Sequence, residues 1–139
     1  MNSKNYFLAG ILGGIVYFLL GWLVYGMLLM DYMEENAGLA LGVNRLDMLL
    51  WSIGLGSLLY GFFLSYIFSC VGQVKTAAAG AKSGAWVGFF VAGAIDFTMY
   101  GTTNISTLNA VAVDILAATV MASITGAVVA WVLGAGATK

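Results

Sequence analysis

The sequence contains no histidine, no proline and a single cysteine, Cys70, and only 8% of its 139 residues are charged. Without histidine, the chain has no His-ligated haem, no His-based zinc site and no Ser-His-Asp triad. A single cysteine excludes an intramolecular disulfide framework. Cys70 lies within an apolar segment, where we expect a small buried hydrophobe. No cofactor motif is evident, and the five Lys and Arg residues form no basic patch, so nucleic acid is not an expected partner.

Apolar residues make up 62% of the chain. A soluble domain carries about 25% charged residues, so this chain could not cover a water-facing surface, and its expected partner is the lipid bilayer. A membrane core of about 30 Å takes about 20 apolar residues in a helix. Four segments meet this length, at about residues 6–30, 48–74, 79–100 and 110–133. We predict an all-α membrane protein, a four-transmembrane-helix bundle in one domain over residues 1–139.

The lysine and arginine residues predict the orientation of the helices, because these residues favour cytoplasmic loops. The two termini and the loop between the second and third helices share one side of the membrane and carry Lys4, Lys75, Lys82 and Lys139. The other side has Arg45 alone. Both termini are therefore predicted to be cytoplasmic. The long outer loop, about residues 31–47, has apolar residues expected to rest on the membrane surface: Leu39, Ala40, Leu41 and Val43.

Small residues recur every four positions in the third and fourth helices, and such faces let membrane helices approach closely. In the third helix the predicted packing residues are Gly80, Gly84, Gly88 and Ala92, and in the fourth they are Ala118, Ala122 and Gly126. The first helix offers a further stripe of Gly10, Gly14, Tyr17 and Gly21. We expect it to suit a homodimer contact.

The small-residue stripes of the third and fourth helices each contain one carboxylate, Asp96 in the third helix and Asp114 in the fourth. Each lies close to the outer end of its helix, so an antiparallel hairpin brings the two to one level. An acid inside a membrane is costly and is commonly functional. Arg45 is the only cation expected within reach, so the pair should be protonated, solvated or bound to a cation. Two carboxylates sharing a site hold one proton between them.

Three interpretations of the aspartates remain open. In the first they are structural: Asp114 stabilises the start of its helix, and Asp96 accepts hydrogen bonds from the 3–4 turn. In the second they bind a cation or small polar ligand. In the third they form a protonation switch. Candidate ligand-binding residues are Asp96, Asp114, Thr98, Tyr100 and Asn104.

Methionines at the outer end of the first helix are spaced by three residues: Met27, Met30 and Met33. Thioethers bind Cu(I), which makes the three a weak candidate metal site. Methionine is also an ordinary filler of apolar cores, which is the favoured interpretation.

The second half of the chain resembles a family of small bacterial four-helix integral membrane proteins, the 2177-type domain of unknown function. The matching residues lie within about residues 80–125: Gly84, Gly88, Gly93, Asp96, Thr98, Val113, Asp114 and Ile115. The chain departs from the family's pattern at Ile95, Met99 and Ser106. The resemblance implies a multi-pass protein of the bacterial cytoplasmic (inner) membrane and treats the aspartate pair as a feature of the family. It implies no activity.

These observations favour a protein that binds or transports a cation or small polar solute at an acidic vestibule on the outer face, as a homo-oligomer because four helices are few for a transporter. The first alternative is an accessory or structural subunit of a larger membrane complex. The second is a membrane enzyme with the carboxylates as acid and base. It is the least favoured, because no nucleophile, metal cluster or cofactor motif accompanies the two acids.

Overall fold

A computed structural model describes residues 3–72 and 74–135 of the chain, and the regular structure of this part is helical, with irregular connections that contain one isolated backbone bridge. Helix α1 (Ser3–Leu23) continues into a π-helical segment (Val24–Leu28) and a short helix α2 (Met30–Glu35). The long helices α3 (Leu50–Val71), α4 (Ala77–Thr102) and α5 (Leu108–Ala135) follow. Four segments are long and apolar enough to cross a membrane, with ends within three residues of the predicted ones. Lys139, which supported the predicted orientation, lies outside the described residues.

The four spans differ in how much they contact one another. Helix α4 packs along α5, α1 packs along α3, and α1 also contacts α5. Among the described residues α3 and α4 make no extended contact with each other. Helices α1 and α5 are therefore central, and α5 has buried residues along its whole length, from Ala110 to Val132.

The α4–α5 interface is built from glycine and alanine on both helices. A methyl group at Gly80 would overlap the carbonyl oxygen of Gly126, and one at Gly84 would overlap that of Ala122. At Gly88 the carbonyl oxygen of Ala118 would be 3.0 Å from an added Cβ. The backbones therefore touch at three successive turns, which only small residues allow. The remaining predicted packing residue of α4, Ala92, is half-buried.

The glycines of α1 form a second interface of the same kind. Gly10 lies against the ring of Phe62, and Gly14 lies against the backbone of Leu58. Gly61 of α3 in turn meets the backbone of α1. Because this face is buried against α3, it is not available to a second copy of the chain, and the expected dimer contact through it is not possible in this fold.

The prediction that Cys70 is buried is wrong, because its side chain is exposed. It lies in the last turn of α3, where Phe68 is the residue that turns into the core. Helix α3 then ends at Gly72, which has a positive φ of 72° that glycine adopts without strain.

The two connections at the end of the bundle away from the termini, called here the loop end, are hydrogen-bonded to each other. The amides of Gly38 and Ala40 donate to the carbonyls of Ile105 (2.8 Å) and Asn104 (3.0 Å). In return, the amide and hydroxyl of Thr107 donate to the carbonyl of Asn36, at 3.1 and 2.9 Å. We call this pairing of residues 36–40 with residues 104–107 the loop clasp. It fixes the α2–α3 connection beside the start of α5.

Candidate functional site

Asp96 and Asp114 line one cavity of about 250 Å³ at the loop end, called here the carboxylate cavity. Asp96 lies six residues before the end of α4 at Thr102, and Asp114 lies six residues after the start of α5 at Leu108. At 1.5 Å per residue both are about 9 Å inside their helix ends. The antiparallel hairpin therefore places both carboxylates at one depth, as its sequence predicts.

The cavity begins where the tight packing of α4 on α5 ends. Gly88 is the last glycine of α4 that contacts α5, because Gly93 and Gly101 would both have room for a side chain. Asp96 follows Gly88 at two steps of four residues and so lies on the same side of the helix. The stripe that brings the two backbones together thus also directs the carboxylate of Asp96 toward α5.

The cavity wall combines carboxylates, hydroxyl groups and apolar side chains. Its ten lining residues are Met33, Asp96, Met99, Tyr100, Thr103, Ile105, Ser106, Ala110, Val111 and Asp114. Neither Lys nor Arg is among them. The cavity therefore has two acidic groups and several neutral oxygens, with no positive charge from its own walls.

The two carboxyl groups approach each other closely enough to interact directly. The hydroxyl of Tyr25, in the π-helical segment, approaches Asp114 from the side of α1. Even so, Oδ2 of Asp96 is buried and has no hydrogen-bond partner within the described residues. A buried acceptor without a donor costs about 1–3 kcal/mol. The two carboxyl groups are therefore closely apposed, and one oxygen of Asp96 is left without a donor.

The side chains expected to anchor Asp96 donate their hydrogen bonds elsewhere. The hydroxyls of Thr98, Thr102 and Thr103 donate to backbone carbonyls four residues earlier, at 2.7 to 2.8 Å. The first turn of α5 is closed by the hydroxyl of Thr107, which accepts from the amide of Ala110 at 3.3 Å. Among the residues described, these turns therefore make their bonds without either aspartate, and the threonine anchors expected for Asp96 are not formed.

The structure gathers some of the candidate residues and separates others. Tyr100 joins the two aspartates in the cavity wall, whereas Thr98 does not line it. Asn104 also lies outside the wall, with an exposed side chain and a backbone carbonyl engaged in the loop clasp.

The three methionines of the weak copper site do not line the cavity together. Met33 is part of the wall and Met99 joins it from α4, while Met27 and Met30 are exposed and lie outside it. Within the described part of the chain no group of three or more His, Cys, Asp or Glu residues could hold a metal ion. Any bound cation would therefore depend on two carboxylates completed by hydroxyl oxygens or water.

Sequence reasoning missed Tyr25. Its position in the sequence could have indicated it, because Tyr25 lies four residues after Gly21 and so continues the stripe of Tyr17 and Gly21 in α1. Tyr17 itself stacks on Tyr60 of α3, with ring centroids 4.3 Å apart. The contribution of Ser106 was also missed, because it lies in a turn whose shape depends on the loop clasp, and Thr103, expected as an anchor for Asp96, instead lines the cavity.

No protein-family model, curated protein or solved structure matches this chain. The resemblance of residues 80–125 to a family of small bacterial membrane proteins therefore stays a prediction. The functional argument depends on the site itself.

Proposed function

We propose that the protein binds, and in a larger assembly transports, a cation or small polar solute in the carboxylate cavity. The observation that carries the proposal is the arrangement of Asp96 and Asp114, which share a membrane-embedded cavity whose lining contains no basic residue. Removing a carboxylate from water is costly unless a counter-charge or hydrogen bonds replace the lost hydration. A bound cation supplies the counter-charge.

The lining favours a ligand that is coordinated by oxygen. Carboxylate and hydroxyl oxygens suit hard cations such as Mg²⁺, Ca²⁺ and alkali metal ions. The hydroxyls of Tyr100, Thr103 and Ser106 lie in the same wall and extend the set beyond the two acids. A volume of about 250 Å³ also accommodates a partly hydrated ion or a small organic cation.

The distribution of basic residues supports an orientation in which this cavity faces outward. Lys4, Lys75 and Lys82 lie at or near the end of the bundle that contains the termini, and Arg45 lies at the loop end. With the termini in the cytoplasm, the cavity receives its solute from outside a bacterial inner membrane. An accessory role in a larger complex is the less favoured function. Two of the glycine faces that suggested it, those of α4 and α1, are packed against other helices of the same chain.

Ligand-dependent stabilisation of the purified protein tests the proposal. A ligand that binds only the folded state stabilises it by RT ln(1 + [L]/Kd). We expect at least one of Na⁺, K⁺, Mg²⁺, Ca²⁺ and tetramethylammonium to raise the thermal midpoint in detergent at constant ionic strength. Asp96→Asn and Asp114→Asn should each abolish that rise.

The matched control is Asp31→Asn, because Asp31 is an exposed acid of α2 that does not line the cavity. It should respond like the unmodified protein. Equal stabilisation of all four proteins, or no stabilisation of any by the whole panel, would contradict the proposal.

A further inference from the structure

A second cavity, of about 450 Å³, lies at the loop end beside the start of α3. Its lining combines polar residues, Asn44, Arg45 and Ser52, with apolar residues, Val43, Met48, Leu49 and Ile53, and these two groups are called here its polar and apolar sides. It shares no residue with the carboxylate cavity and is called here the Arg45 groove.

The groove lies at the level where a membrane span begins. Helix α3 starts at Leu50, and the groove is formed by the residues just before it and by its first turn. Trp51 is adjacent and 70% exposed, as is usual for tryptophan at the headgroup level of a bilayer.

The loop that forms the groove exposes large apolar side chains. Leu39, Leu41, Leu46 and Met48 are each at least 72% exposed. Such a series is unfavourable against water and typical of a segment that rests in the interface of a membrane. The apolar side of the groove therefore continues a surface that lies against lipid.

The polar side of the groove is cationic. Arg45 is exposed and forms no ion pair with any residue in the described part of the chain. It is the only lysine or arginine between Lys4 and Lys75. No side chain caps the start of α3, so the amide dipoles of its first turn add positive potential at the same place. A guanidinium group binds phosphate through two parallel hydrogen bonds.

We propose that the Arg45 groove binds the headgroup of a membrane phospholipid. Arg45 contacts the phosphate, and Asn44 and Ser52 donate further hydrogen bonds to the headgroup. Met48 and Ile53 contact the glycerol backbone and the first methylenes of an acyl chain. The apolar side distinguishes this ligand from a free anion, because a soluble phosphate would leave that side without a partner.

Native mass spectrometry of the full chain released from detergent tests the proposal, with dioleoyl phosphatidylglycerol as the added lipid. We expect one retained lipid per chain and an apparent affinity about tenfold weaker in Arg45→Gln, the loss of one charge-assisted contact. Arg45 is exposed, so this variant should fold. The matched control is Asp47→Asn, a neighbouring charged residue that does not line the groove, and it should bind like the unmodified protein.

Two further probes test whether binding requires both the phosphate and the acyl chains of the phospholipid. Dioleoylglycerol, which lacks the phosphate, and sn-glycerol 3-phosphate, which lacks the acyl chains, should each bind at least tenfold more weakly than the complete lipid. Asp96→Asn should retain full lipid binding, because Asp96 does not line the groove. Equal lipid binding by Arg45→Gln and Asp47→Asn would overturn the proposal. Binding of either partial probe as tightly as the phospholipid would also overturn it.

Discussion

Glycine has different surroundings in the two halves of the bundle. In the half nearer the termini, Gly80 and Gly84 of α4 lie against backbone carbonyls of α5, and Gly14 lies against the backbone of α3. In the half nearer the loop end, Gly54 and Gly93 have no neighbouring atom within 4 Å of where a side chain would begin. Within the long helices, glycine is thus a packing requirement in one half and not in the other, whereas Gly38 of the loop clasp, also at the loop end, would overlap the carbonyl oxygen of Asn104.

The difference separates the stability of the fold from the chemistry of the site. Close helix contacts hold the half nearer the termini together, where dispersion and weak backbone contacts are the main forces between membrane helices. The loop-end half contains the two cavities, both aspartates and the π-helical segment. Segments of π-helix are frequent at functional sites, because they interrupt regular packing.

The largest expected effect comes from enlarging a glycine on the packed side. Gly84→Val places a branched side chain against the carbonyl oxygen of Ala122, where a Cβ alone already overlaps. We expect the free energy of unfolding to fall by about 2–3 kcal/mol, measured by reversible unfolding in mixed micelles. The control is Gly93→Val in the same helix, which should change it by less than about 0.5 kcal/mol. Equal losses in both variants would refute the contrast between the halves.

A smaller change in the free energy of unfolding, and one that stabilises the protein, is expected on replacing Asp96. Its buried Oδ2 has no hydrogen-bond partner among the residues that the structure describes, so Asp96→Leu should raise the free energy of unfolding by about 1 kcal/mol without added ligand. The same variant should lose cation-dependent stabilisation. Asp31→Leu, at an exposed position, serves as the comparison and should leave stability nearly unchanged. A loss of stability in Asp96→Leu would show that the carboxylate helps to hold the fold.

The smallest expected effect belongs to the loop clasp. Thr107→Val removes the hydroxyl that donates to the carbonyl of Asn36 and accepts from the amide of Ala110, and we expect a loss of about 0.5–1 kcal/mol in global stability. Hydrogen exchange should report a local change, with faster exchange at the amides of Gly38 and Ala40, which belong to the same clasp. Exchange that accelerates throughout α4 and α5 instead would mean that the clasp supports the whole bundle.

The sequence predicts the helices well because each carries its own signal. A run of apolar residues long enough to span a bilayer identifies a helix without knowledge of its neighbours. The four-residue spacing that leads from Gly88 to Asp96 likewise predicts which side of α4 meets α5, and the structure has both residues on that side.

What the sequence does not predict depends on contacts between distant segments. The π-helical turn at Val24–Leu28 has no periodic signature, and it determines where Tyr25 approaches Asp114. The pairing of Ala37 with Ser106 joins residues far apart in the chain. These two features determine which side chains line the cavity, so Asp96 and Asp114 could be chosen from sequence while Ser106 could not.

The central position of α1 has a consequence for synthesis of the chain. Helix α1 is translated before α3, α4 and α5, yet one of its two partners, α5, begins only at Leu108. The α1–α3 pair can form early, whereas the α5-facing surface of α1 has to wait until nearly the whole chain has been translated. Helix α4, which packs mainly on α5, cannot shield that surface in the meantime. We therefore expect the last step of assembly to be the docking of an α4–α5 hairpin onto an α1–α3 pair, which brings the two aspartates beside Tyr25.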